Sequence, residues 1–141
     1  MKLRLLILIA ILALFPLAAC APAAAPEEEE KPVTLEPIAG TDLNRLTLTE
    51  KAAERLGLET VAVVAQEGQV VVPYAALLYD PSGQAWVYVN VAPLAYERQE
   101  VTVDSIDGDK AILSKGPEAG ANVVTMGATE LFGSESEFEE E

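Results

Sequence analysis

Few side chains in this sequence have the chemistry that catalysis or metal binding needs. The 141-residue chain has no His and a single Cys. Without His there is no imidazole base, no His-ligated metal and no Ser-His-Asp triad, and one Cys forms neither an internal disulfide nor a Cys-based zinc site. The chain carries 23 Asp and Glu against nine Lys and Arg, whereas nucleic-acid binders are basic. We therefore expect a protein that is not an enzyme, uses no cofactor or metal, and does not bind nucleic acid.

The acidic side chains follow no spacing that is typical of a catalytic or metal site. Asp104, Asp107 and Asp109 cluster around a turn, but they do not match the D-x-D-x-D-G pattern of a calcium loop. The polarity of an exposed hairpin is the simpler interpretation. Glu97 and Glu100 are three residues apart on a predicted strand, so their side chains face opposite ways and cannot act as a carboxylate pair.

Three large side chains could either bind a ligand or pack in the core. Trp86 and Tyr88 share one face of a predicted strand, where they form either a binding platform or an inter-strand packing pair. Packing is the simpler interpretation. Met126 lies in another predicted strand, and we expect it in the core rather than on a metal.

The lone Cys follows a segment typical of a secretory signal. Lys2 and Arg4 precede the uncharged apolar run Leu5 to Phe15, which is too short to cross a membrane on its own. The sequence Leu17-Ala18-Ala19-Cys20 then resembles the lipobox of bacterial lipoproteins, in which the Cys sulfur receives diacylglycerol. An ordinary signal peptide and a retained transmembrane helix are the alternatives.

The lipobox resemblance implies both an anchor and a location. Residues 1–19 would be a lipoprotein signal peptide, and the mature chain would begin at a lipidated Cys20. Several acyl chains, palmitate among them, together anchor a protein stably. We therefore expect an extracytoplasmic protein, periplasmic or on the cell surface, held on a bacterial membrane by its N-terminal lipid.

Two acidic segments bracket the rest of the chain. Residues 20–41 comprise Cys20 and a stretch rich in Pro, Ala and Glu, and residues 134–141 contain five Glu. Such compositions bury too little apolar surface to fold. We expect a disordered tether over 20–41, a folded domain over 42–133 and a disordered acidic tail over 134–141.

The pattern over 42–133 predicts a mainly β domain with one short α-helix. Thr49 as N-cap and Gly57 as left-handed stop delimit a helix between them. Ala85–Val91 is apolar on both faces, which predicts a central strand. Asp80-Pro81-Ser82-Gly83 fits a type I turn, and Asp107-Gly108 a hairpin turn. Short strands separated by such turns predict a small antiparallel β-roll or barrel.

Several stretches, taken in order, resemble the periplasmic adaptor, or membrane fusion, proteins of RND-type efflux systems. Leu46–Val63 is similar to the adaptor segment in which a strand and a short helix lead into Gly-[Leu/Ile]-[Glu/Lys]-Thr. Gln69–Val89 is similar to the strand-Val-Pro-x-x-Ala stretch, its turn and the Val-Tyr-Val strand. Gly116–Gly127 is similar to the run that closes the membrane-proximal domain, although Pro117 replaces the usual Leu. Tyr96–Val103 is similar to the strand that follows Val-Tyr-Val, and Glu130–Gly133 matches a frequent ending of the domain. Together the matches keep the family order and cover nearly all of residues 44–133.

The resemblance covers the membrane-proximal domain of an adaptor and none of its other domains. A full adaptor inserts a lipoyl-like domain, a helical hairpin and another β-barrel, but here Ala65-Gln66-Glu67 alone separate Val64 from Gly68. The resemblance implies a non-catalytic protein–protein interaction module that contacts an RND-type transporter or other adaptor subunits and assists or regulates efflux. A free-standing envelope lipoprotein that binds a small ligand or has a structural role is the alternative.

Overall fold

A computed structural model describes residues 31–139 of the chain. In chain order the strands are β1 (Val33–Pro37), β2 (Asn44–Leu48), β3 (Glu59–Ala62), β4 (Val64–Gln66), β5 (Gln69–Pro73), β6 (Leu78–Tyr79), β7 (Ala85–Ala92), β8 (Ala95–Glu100), β9 (Thr102–Asp107), β10 (Lys110–Lys115) and β11 (Asn122–Met126). The helices are α1 (Glu50–Leu56), a 3₁₀-helix (Tyr74–Ala76) and α2 (Ala128–Glu139). The prediction of a mainly β fold is confirmed.

The strands form two antiparallel sheets rather than one closed barrel. The larger sheet has the order β1-β2-β8-β7-β11-β3, with β6 also paired to β7, and the smaller has the order β4-β5-β10-β9. The strand β7 lies between β8 and β11, so the prediction that Ala85–Val91 is central is confirmed.

The chain passes from the larger sheet to the smaller one at two buried valines. Val63 separates β3 from β4, and Val101 separates β8 from β9. Both are almost fully buried. The Val63 amide donates to the carbonyl oxygen of Ala121, just before β11, and the Val101 amide donates to that of Ala85 on β7. Each valine therefore marks the residue at which the chain changes from one sheet to the other.

Two cores lie on the opposite faces of the larger sheet. Val87, Val89 and Val123 pack against side chains of the smaller sheet such as Leu113. Tyr88 faces the other way, because neighbouring residues of a strand point to opposite faces, and it packs in a cluster to which α1 and α2 contribute. The order of layers is therefore helices, larger sheet, smaller sheet.

The predicted ends of α1 are confirmed. The Thr49 hydroxyl accepts a hydrogen bond from the Ala52 amide at 3.2 Å, which satisfies one of the unpaired donors of the first turn. Gly57 ends the helix in the left-handed conformation, with φ of 61°. The predicted turn at Asp80 also forms, because the Gly83 amide donates to the Asp80 carbonyl oxygen.

The prediction of a disordered tether over 20–41 is wrong for its last part. Val33–Pro37 form β1, which pairs with β2 from Val33↔Leu48 to Pro37↔Asn44. Val33 is buried and Leu35 half-buried on the helix side of the sheet, so this short alternation does bury apolar surface. A strand at the edge of the sheet also tolerates Pro37. Residues 20–30 lie outside the described residues.

The prediction of a disordered tail over 134–141 is wrong for residues 134–139, which belong to α2. The predicted domain boundary at residue 133 falls inside this helix. Leu131 and Glu135 are one turn apart on the same helix face, and both are buried. The Glu-rich composition of this segment conceals the buried face. For that reason the sequence predicts one α-helix in the domain where the structure has two.

Candidate functional site

The most unusual polar group in the described part of the chain is the carboxylate of Glu135. Only 1% of this residue is exposed, and it is the one buried charged residue between 31 and 137. The Tyr88 hydroxyl donates a hydrogen bond to Glu135 Oε2 at 2.5 Å. Arg98 Nε lies 3.4 Å from the same oxygen and forms an ion pair with it. We call these residues, together with Trp86 and Phe132, the Glu135 cluster.

The guanidinium of Arg98 lies over two aromatic rings. Its central carbon is 4.7 Å from the centre of the Trp86 ring and 5.2 Å from the centre of the Phe132 ring. Both distances are within the range of cation–π attraction, which strengthens as the cation loses water. Because only 12% of the Arg98 side chain is exposed, the rings fix the guanidinium plane at the edge of the core.

The sheet register brings these residues together. Tyr88 on β7 is the direct partner of Arg98 on β8, and Trp86 is two residues before Tyr88 on the same face. Phe132 and Glu135 are three residues apart on α2, so they share one helix face. A strand pair and one helix turn therefore position the whole cluster.

The loop before β7 extends the Glu135 cluster to the surface. Trp86 Nε1 donates to Asp80 Oδ2 at 3.0 Å. The other carboxylate oxygen of Asp80 accepts hydrogen bonds from the Ser82 hydroxyl at 2.6 Å, the Ser82 amide at 2.8 Å and the Gln84 amide at 3.0 Å. These bonds lower the pKa of Asp80 to about 2. The hydrogen bond from the Ser82 hydroxyl has the largest effect, and the one from Trp86 has the second largest.

The Glu135 cluster leaves some hydrogen-bonding capacity unused. Among the described residues, Glu135 Oε1 and Arg98 Nε are buried without a hydrogen-bond partner, and at 3.4 Å the Arg98–Glu135 contact is an ion pair only. The cluster joins a helix to a sheet through one charge pair. A positioned guanidinium and a hydroxyl together bind a carboxylate, and here that carboxylate belongs to Glu135 of the same chain.

The residues singled out in the sequence are dispersed. Cys20 lies outside the described residues. Asp104, Asp107 and Asp109 are exposed on β9 and its turn, and the described residues contain no group of three or more acidic, His or Cys side chains placed to hold a metal ion. Met126 is 54% exposed, so the expectation that it lies in the core is wrong.

The carboxylates and aromatic residues of the central strands have identifiable contacts. Glu97 forms an ion pair with Arg45 at 2.6 Å, and Glu100 forms one with Lys115 at 3.2 Å. Tyr88 is fully buried and Trp86 half-buried. The packing interpretation of Trp86 and Tyr88 is therefore confirmed, and neither forms an open platform.

Sequence reasoning missed Glu135 and Arg98 as members of a site. The signal that could have found Glu135 is the spacing of Ala128, Leu131, Phe132 and Glu135, which follow one helix face at i, i+3, i+4 and i+7. No comparable signal marks Arg98, because its partner depends on how α2 packs on the sheet.

A tight two-residue hairpin joins β4 to β5. Glu67 and Gly68 both have positive φ, 53° and 82°, and Gln66 pairs with Gln69 across them. A two-residue turn with positive φ at both positions matches the twist of the flanking strands. Gln66, Glu67, Gln69, Val71 and Ile112 line a shallow groove of about 480 Å³ beside the hairpin.

Comparison of the chain with protein-family models, with curated proteins and with solved structures gives no match. Within residues 31–139, no helix has the length and apolar character required to cross a membrane.

Proposed function

We propose that this protein is a membrane-anchored extracytoplasmic lipoprotein whose β domain is a non-catalytic interaction module. The lipid on Cys20 holds it at a bacterial membrane, where the domain contacts an RND-type transporter or other adaptor subunits. In this role it assists or regulates transmembrane efflux. Anchoring both partners to one membrane raises their local concentration, so a weak contact suffices.

The observation that carries the proposal is the pairing of β3 with β11. The strand β3 comes from the segment that resembles the first membrane-proximal piece of an adaptor, and β11 comes from the segment that resembles the second. The two strands are antiparallel, with Val61 opposite Val123. Both pieces thus build one sheet, as the resemblance to a membrane-proximal domain requires.

The Glu67-Gly68 hairpin supports a partner close to the membrane. The two pieces are joined directly through β4 and β5, so the helical hairpin that gives an adaptor its reach is absent from the described chain. A module without such a hairpin contacts only proteins that lie next to it at the membrane. The extracytoplasmic part of a transporter in the same membrane fits that geometry.

Membrane recovery of partners tests the proposal. Full-length protein, tagged at the C-terminus, is purified from gently solubilised membranes and compared with Cys20→Ser. We expect palmitate incorporation in the wild type and none in Cys20→Ser, and we expect an RND-type transporter with the wild type. Repeated recovery of no transporter would rule out the efflux role even if the lipid is found.

The groove beside the Glu67-Gly68 hairpin favours a second candidate function. Its lining combines two Gln amides and the Glu67 carboxylate with Val71 and Ile112, a mixture of polar and apolar groups that suits a small polar ligand. A free-standing envelope lipoprotein would use this groove. Mass spectrometry of the intact protein under non-denaturing conditions tests this, because a co-purifying small molecule that is lost in Ile112→Asp would favour ligand binding over efflux.

A further inference from the structure

The helix α2 is attached to the larger sheet through one face only. Ala128 and Leu131 are buried, and Phe132 packs against the same core. The fourth contact of that face is the Glu135 carboxylate on Tyr88 and Arg98. Through this face α2 covers the sheet beside β1 and β2.

The sequence of α2 is a poor helix without these contacts. Gly133 lies at its centre, and Gly lowers helix formation roughly fivefold relative to Ala. The hydroxyls of Ser134 and Ser136 donate to the carbonyl oxygens of Glu130 and Phe132, both at 2.9 Å, a type of bond that weakens helices slightly. No basic residue lies in its last turn to balance the negative end of the helix dipole.

The polar contact that holds α2 down stabilises it less than a fully hydrogen-bonded contact would. Glu135 Oε1 and Arg98 Nε have no hydrogen-bond partner among the described residues. Both groups gain water as hydrogen-bond partner when the helix lifts, which offsets part of what is lost. The free energies of the closed and open positions of α2 therefore differ by less than the buried area alone suggests.

We infer that α2 is a displaceable cover, and that the groove beneath it receives a helix of a partner protein. The partner helix carries an aliphatic residue, an aromatic residue directly after it and a carboxylate three positions later, as Leu131, Phe132 and Glu135 do. A helix without that carboxylate would bury the Arg98 guanidinium with no counter-charge, which is strongly unfavourable. The carboxylate therefore sets the specificity. This inference goes beyond the proposed function and holds whether or not the partner belongs to an efflux system.

Hydrogen exchange on the full-length protein tests the first half of the inference. We expect the amides of α2 to exchange through a local opening, faster than those of β7, and Gly133→Ala to slow that exchange about fivefold. A Cβ on Gly133 meets no atom within 4 Å, so this variant keeps the fold. If the amides of α2 exchange no faster than those of β7, the inference is overturned.

A peptide added to the wild-type protein tests the second half. The probe is a capped peptide with the sequence of residues 126–139 in which Gly133, Ser134 and Ser136 are replaced by Ala, and its matched control also carries Glu135→Gln. We expect the acidic probe to speed exchange of the protein's own α2 and to shift the emission of Trp86, the single Trp of the chain. The control should bind about tenfold more weakly. No effect of either peptide at millimolar concentration, or equal effects of both, would overturn the inference.

Discussion

The Tyr88 hydroxyl, on the central strand of the larger sheet, donates a 2.5 Å hydrogen bond to the buried carboxylate of Glu135 on the C-terminal helix. These residues are 47 positions apart, so the contact forms only when the helix lies across the sheet. Arg98, the cross-strand partner of Tyr88, adds a charge to the same contact. Together the three side chains hold α2 in its closed position on the larger sheet.

Removing the charge of Glu135 should destabilise the domain. Glu135→Gln keeps the size of the side chain but leaves Arg98 buried without a counter-charge, and we expect a loss of about 1–3 kcal/mol in the free energy of unfolding. Urea denaturation followed by Trp86 fluorescence measures it. Glu137→Gln is the matched control, because Glu137 is exposed on the same helix, and we expect a change within about 0.5 kcal/mol. Equal effects of the two variants would contradict a specific role for Glu135.

Replacing Arg98 by Lys should also cost stability although the positive charge is kept. The planar guanidinium over Trp86 and Phe132 has no equivalent in an ammonium group, so we expect Arg98→Lys to lose about 1–2 kcal/mol. Arg45→Lys is the control, since Arg45 pairs with Glu97 at the surface and such pairs contribute little. Thermal unfolding of both variants measures the difference, and a loss as small as that of Arg45→Lys would argue against the stacked arrangement.

The parts of the fold that depend on local signals could be predicted from the sequence. Thr49 and Gly57 mark the ends of α1 because capping depends on neighbouring residues alone. The central position of β7 follows from its two apolar faces. The breaks at Val63 and Val101 could not be found in this way, because the partner strands and not the local sequence decide where the chain changes sheet.

The Glu135 cluster depends on contacts between distant parts of the chain. Composition places Glu135 in an acidic tail, and only the packing of α2 turns it into a buried partner of Arg98. The same limit applies to β1, where Val33 and Leu35 form a strand because β2 is there to pair with them. The average composition of a Glu-rich or Pro-rich stretch conceals the two or three residues in it that reach the core.

The turn between β11 and α2 should tolerate only Gly at residue 127. Its φ is +84°, and a Cβ there would clash with Leu58 Cδ2 and lie 3.3 Å from the Leu56 carbonyl oxygen. We expect Gly127→Ala to lower the free energy of unfolding by about 2–3 kcal/mol through backbone strain and this clash. Gly120→Ala, with φ of +91° but no atom within 4 Å of its Cβ, should cost about 1 kcal/mol. Equal losses by chemical denaturation would show that the clash is relieved without cost.

Acid should weaken the Asp80 turn in a defined pH range. The pKa of Asp80 is lowered from 3.8 to about 2, so its contribution to stability is fully present above pH 3.8 and is lost as the pH falls through about 2. We expect the wild type to be more stable than Asp80→Asn at pH 6, and the difference to shrink between pH 4 and 2. Denaturation at several pH values, with Asp107→Asn as the exposed control, measures this. A difference that is constant with pH would contradict the role of the charged carboxylate.

Photo-crosslinking in living membranes tests the proposed function most directly. A photoreactive phenylalanine derivative replaces Tyr79, which is 52% exposed, in the full-length, lipid-anchored protein. The same group at Thr34, exposed on β1, is the control for non-specific capture. We expect Tyr79, or Tyr74 on the adjoining 3₁₀-helix, to form a product with an RND-type transporter or another adaptor subunit, and Thr34 to form none. Repeated absence of any transporter or adaptor product at either tyrosine, with the protein present in the membrane, would contradict it.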